Sequence, residues 1–135
     1  MRDPRSIGIH LLRVAVAAIL FVHGAARVWL GIVDDFGGVI TLWGFPFGPA
    51  LAWTITVVEL AGGIALALGY LVLPLVCWFA IILTSGIILV HAPSGWFVVG
   101  AGRNGMEFSV LLIVCLVVVA LTHPPIAKTA VERAV

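Results

Sequence analysis

Ala50-Leu51-Ala52-Trp53-Thr54-Ile55-Thr56-Val57-Val58-Glu59-Leu60-Ala61-Gly62-Gly63-Ile64-Ala65-Leu66-Ala67-Leu68-Gly69 is an apolar run with a single charge, Glu59, near its middle. A helix rises ~1.5 Å per residue, so a run of this length matches the ~30 Å hydrocarbon core of a bilayer. Ala52, Thr56, Glu59, Gly63 and Ala67 make one nearly continuous stripe of mostly small residues. Small stripes let helix backbones approach closely in lipid, so Glu59 is aimed at a packed neighbour and not at acyl chains. An ionised side chain at the bilayer centre costs ~2.5–3.5 kcal/mol on insertion scales. Glu59 is therefore the residue in this chain that most needs a partner.

Three further apolar segments, about 8–30, 71–91 and 106–122, accompany the 50–69 run. The expected fold is all-α: a four-helix transmembrane bundle forming one domain over residues 1–135. Composition agrees, with 63% hydrophobic residues, 10% charged and a mean hydropathy of +1.27. A soluble domain averages roughly 25% charged residues. The net charge of +1 supplies no basic field for a phosphate backbone, which excludes nucleic-acid binding. Cys77 and Cys115 both lie in apolar runs with no CxxC pair, and are expected to be buried and inert.

The connections differ. Residues 31–49 contain Asp34, Asp35, Gly37, Gly38 and the turn-rich Gly44-Phe45-Pro46-Phe47-Gly48-Pro49, with Pro49 placed to open the second helix. The link at Gly69-Tyr70 is short enough to force an antiparallel hairpin. Residues 92–105, with Trp96-Phe97-Val98-Val99 at their centre, read as a segment dipping into the interface. Arg2, Arg5, Arg13, Lys128 and Arg133 flank the two termini, whereas Arg27 and Arg103 lie toward the other side. That bias predicts both termini in the cytoplasm, N-in and C-in. Arg2 and Arg5 before an apolar stretch also fit a signal peptide, but His23 and Arg27 fit a retained helix better.

With this topology His23, Glu59, His91 and Glu107 all fall in the outer half of the membrane, Glu59 deepest at about 14 Å below the outer end of its helix. Arg27 shares a face with His23, and Arg103 with Glu107, by i,i+4 spacing. Ile19-Leu20-Phe21-Val22-His23 also echoes Ile87-Ile88-Leu89-Val90-His91, which predicts two related helical hairpins. Bland readings stand beside these. His91 would simply end its helix at the interface, and Arg103–Glu107 would be a surface ion pair worth under ~1 kcal/mol.

Several stretches together resemble the DoxX family of small four-helix bacterial membrane proteins. They are Leu20-Phe21-Val22-His23-Gly24-Ala25-Ala26-Arg27, Gly44-Phe45-Pro46, Val58-Glu59-Leu60-Ala61-Gly62-Gly63, His91-Ala92-Pro93-Ser94-Gly95-Trp96-Phe97 and Asn104-Gly105-Met106-Glu107-Phe108, in order along the chain. The resemblance implies a multi-pass bundle in the bacterial cytoplasmic (inner) membrane, with His23, Glu59, His91 and Glu107 at recurrent polar positions. It also implies links to redox work, as subunits of quinone-dependent oxidoreductases or partners of oxidative-stress enzymes. Arg103-Asn104 departs from the glycine-rich pattern frequent in the family.

The leading expectation is a redox-linked membrane subunit with an outer-half pocket for a quinone or similar apolar molecule. His23 and His91 would hydrogen-bond the ring oxygens, Glu59 or Glu107 would relay protons, Arg27 would pair with a carboxylate, and Arg103 and Asn104 would line the mouth. Trp29 and Trp96 would wall the ring. A non-catalytic assembly subunit, contacting another membrane protein or further copies of itself, is the main alternative. A bis-histidine haem or metal site is a lesser one, since no Glu-x-x-His pair or CxxCH motif is present. No nucleophile with its base and no phosphate-binding loop points to catalysis by the chain alone, so at most it is an oxidoreductase subunit.

Overall fold

The computed structural model describes residues 3–123. Arg2, Lys128 and Arg133, three of the charges behind the expected orientation, lie outside the described residues. The elements are α1 (Pro4–Trp29), α2 (Val33–Leu42), α3 (Gly48–Leu68), α4 (Val72–Gly86) and α5 (Glu107–Thr122). Beyond Gly86, α4 continues as a π-helical turn, Ile87–His91, and a 3-10 turn, Ala92–Ser94. Pro93 has no N–H to extend the helical ladder, and the backbone widens just before it.

Local chemistry explains the helix starts. The Asp3 carboxylate accepts the Arg5 N–H at 3.3 Å, and Pro4 occupies the first turn of α1. Pro49 does the same for α3. The helix the sequence reading missed is α2, within the first connection. Gly37 and Gly38 argue against a helix, yet Val33, Phe36, Gly37 and Ile40 repeat at helical spacing, and Asp34 and Asp35 sit in the first turn, where carboxylates complement the helix dipole. Gly37 lies so close to the Gly48–Pro49 backbone that a side chain there would collide with it. Trp53 on α3 donates its indole N–H to Asp34 Oδ1 at 3.0 Å, a second tie between α2 and α3.

α1 packs most closely on α3, and α4 on α5, the pairing expected from the internal echo. The main core joins Val16 and Leu20 of α1, Leu66 of α3, Phe79 of α4, and Leu112 and Leu116 of α5. A smaller core of Val33, Ile40 and Ala52 lies under α2. Near their short connection α3 and α4 touch, Gly62 facing Leu75 and Phe79. Further along, a cavity separates Leu51 and Ile55 of α3 from Ile82 and Leu89 of α4.

Three stretches are long and apolar enough to cross a membrane: Pro4–Trp29, Gly48–Leu68 and Val72–Ser94. The apolar α5 has 16 residues and rises ~24 Å, short of a ~30 Å core. Burial of the cysteines is corrected. Cys77 is exposed and Cys115 half-buried, because the outside of a membrane helix is itself apolar and an apolar run does not mark the inside.

Candidate functional site

The single ion pair among the described residues joins Arg27 Nη2 on α1 to Glu59 Oε2 on α3. Glu59 is only 5% exposed, and Thr56, one turn before it, is fully buried. Gly24 makes this geometry possible. A Cβ at residue 24 would stand 3.0 Å from Glu59 Cβ, 3.1 Å from the Thr56 carbonyl oxygen and 3.3 Å from Glu59 Oε2. Without a side chain at that point, α1 settles directly onto the α3 stripe, and Arg27, nearly one turn on, meets the carboxylate. The Arg27 guanidinium also covers the Phe36 ring of α2, 4.9 Å from its centroid. Three helices thus converge on one charge pair. The Thr56 hydroxyl and Arg27 Nε, both buried, have no partner among the described residues.

The remaining residues singled out in the sequence occupy two other places. His23 is exposed on α1, within electrostatic reach of Arg27 and His91. The His91 Nδ1–H donates to the Asn104 carbonyl oxygen at 2.8 Å, which ties the end of α4 to the following loop. Glu107 closes that loop. Its Oε1 accepts the Val98 N–H at 2.8 Å, while its own N–H donates to the Trp96 carbonyl at 3.0 Å. With the carboxylate so occupied, the Arg103–Glu107 pair does not form and Arg103 is exposed. Trp29 is 90% exposed at the end of α1, and Trp96 is 49% exposed in the loop.

Aromatic walls are found elsewhere. The cavity between α2, α3 and α4 has a volume of about 250 Å³, and Phe36, Trp43, Phe45 and Trp78 line it together with Thr54 and Ser85. The two hydroxyls donate to carbonyls of their own helices, Thr54 to Ala50 and Ser85 to Ile81, so they present only acceptors. The Trp78 indole N–H is buried without an acceptor among the described residues. Phe36 connects the two regions, since it lines the cavity and stacks on Arg27. Sequence reasoning passed over Phe36 and Trp78. The available signal was Trp78, a polar N–H placed far from either end of an apolar run. No group of three or more His, Cys, Asp or Glu side chains is placed to hold a metal ion among the described residues.

A family model described as DoxX matches residues 8–92, from α1 through the turn that ends α4. No curated protein and no solved structure matches the chain.

Proposed function

The chain belongs to the DoxX family, and from that premise we propose that it is a redox-linked membrane subunit binding a quinone-type ring in the cavity between α2, α3 and α4. The observation that carries this reading is an apolar, aromatic-walled space of about 250 Å³ set beside a buried charge pair. Ligand sites for drug-sized molecules span roughly 300–1,000 Å³ and are mostly apolar with a few placed polar groups. A slightly smaller space suits one ring, with its tail running between α3 and α4 into lipid. A small turn of the Trp78 indole would give its unpartnered N–H a ring carbonyl to bond. Phe36 would transmit the field of Arg27 and Glu59 to the ring. In this reading the cavity belongs to the outer half of a four-helix bundle in the bacterial cytoplasmic membrane, with both termini inside. His23 and His91 lie outside the cavity lining. The electrons come from another polypeptide.

A titration in lipid nanodiscs with a short-tailed benzoquinone tests the proposal. Saturable quenching of tryptophan fluorescence is expected, with affinity reduced about tenfold, or 1.4 kcal/mol, by Ser85→Phe, which fills the cavity. Equal, non-saturating quenching in both proteins would contradict it.

A second reading, a non-catalytic assembly subunit, is favoured by one observation. Arg27–Glu59 fastens α1 to α3, which is sufficient reason for both charges. Purification in mild detergent distinguishes the two, since a persistent large partner with no quinone binding supports assembly.

A further inference from the structure

At the opposite end of the bundle, α1 begins, α4 begins and α5 ends. A cleft of about 260 Å³ lies there, lined by Ile9, His10, Arg13, Val72, Thr122 and His123, with Val119. We propose that this cleft binds a phosphate oxyanion, supplied by the headgroup of an anionic phospholipid.

Arg13 provides the main argument. Its Nη2 donates to the Ala67 carbonyl at 3.4 Å, satisfying one open acceptor at the C-terminal end of α3. Arginine carries five N–H donors in a planar fork that matches phosphate geometry. Only that one donor has an acceptor among the described residues, and Nε is buried without any. A guanidinium kept partly out of water with spare donors is a site for an oxyanion.

Two further polar groups line the cleft beside Arg13, and both present acceptors to it. His10 donates its Nδ1–H to the Ser6 carbonyl at 2.6 Å, which fixes the ring with Nε2 free. Thr122 donates to the Val118 carbonyl at 2.7 Å. Among the described residues, no carboxylate lines the cleft. That absence selects among headgroups. A choline ammonium has no N–H for those acceptors and would meet Arg13 with no carboxylate among the described residues to receive it, whereas a glycerol headgroup leaves the phosphate charge unopposed. Ile9, Val72 and Val119 supply apolar walls for the start of the acyl chains. The cleft also lies level with the α3–α4 turn, where Gly69 packs beside the Arg13 guanidinium, and therefore at the boundary of the apolar spans.

The test is native mass spectrometry of the full chain, released from micelles containing phosphatidylglycerol or phosphatidylcholine, with inorganic phosphate added separately. Phosphatidylglycerol adducts are expected to exceed phosphatidylcholine adducts about tenfold, the effect of one charge-assisted hydrogen bond set. Arg13→Gln should abolish the preference and Arg13→Lys retain part of it. Arg5→Gln, on the exposed start of α1, should leave it unchanged. Competition by inorganic phosphate, lost in Arg13→Gln, would support the oxyanion site and identify a soluble source. The proposal is overturned if the wild-type chain shows no preference for either phosphate form, if Arg13→Gln keeps it, or if Arg5→Gln removes it equally. The wild-type comparison decides the matter even where the Arg13→Gln protein does not fold.

Discussion

Arg27 on α1 and Glu59 on α3 form an ion pair inside the helical core, reached because Gly24 has no side chain to hold the two helices apart. Breaking such a pair leaves an uncompensated buried charge, at a cost of ~3–5 kcal/mol, whereas replacing both members with apolar residues is often neutral. Glu59→Leu alone and Arg27→Met alone should therefore each destabilise the protein by ~3–5 kcal/mol, and the double variant by much less. Denaturant unfolding in detergent, arranged as a double-mutant cycle, measures this. Additive losses would show that the two charges do not act on each other.

Gly24 offers a steric test of the same contact. A methyl group there meets the Thr56 carbonyl and Glu59 Cβ at 3.1 and 3.0 Å, tighter than ordinary van der Waals contact. Overpacking of this kind costs ~1–3 kcal/mol. Gly24→Ala is expected to lower the thermal midpoint and Gly24→Val to lower it further. Gly8, which has open space around it, should accept alanine with no such loss in the same melt.

The attachment of α2 rests on Asp34–Trp53 and on Phe36 against Arg27. Trp53→Phe removes a hydrogen bond worth ~0.5–1.5 kcal/mol. Phe36→Ala removes a cation–π contact worth ~0.5–2 kcal/mol and opens one wall of the cavity. Hydrogen exchange should report faster opening of residues 33–42 in both variants, with α5 unaffected. Only Phe36→Ala should also weaken quinone binding.

Glu107 is expected to behave as a loop clasp. Glu107→Ala frees the Val98 N–H and should speed proteolysis and hydrogen exchange across residues 96–106, with quinone affinity unchanged. Reduced affinity with an intact loop would instead return Glu107 to the proton-relay role anticipated from sequence.

The membrane helices and the need of Glu59 for a partner were legible in the sequence because both follow from the cost of charge in hydrocarbon. The identity of the partner was less so. Spacing placed Arg27 beside His23 on α1, but only the close approach at Gly24 selects the arginine. α2 was hidden by Gly37 and Gly38, residues that weaken a helix in isolation, although Gly37 here permits contact with Pro49. His91 and Glu107 were expected in the same outer half as Glu59, yet depth does not fix direction, and both turn to the loop that joins their helices. The aromatic cavity depends on how α3 and α4 separate beyond Gly62, a tertiary feature with no periodic signature.

Photoaffinity labelling with an azido-benzoquinone, mapped by peptide mass spectrometry in nanodiscs, tests the central claim most directly. The account predicts labels on α4 around Trp78, Ile82 and Leu89 and on α2 near Phe36, removed by excess unlabelled quinone. Labels confined to lipid-facing positions such as Leu11, Leu111 and Leu121, or labels that excess quinone does not displace, would contradict it.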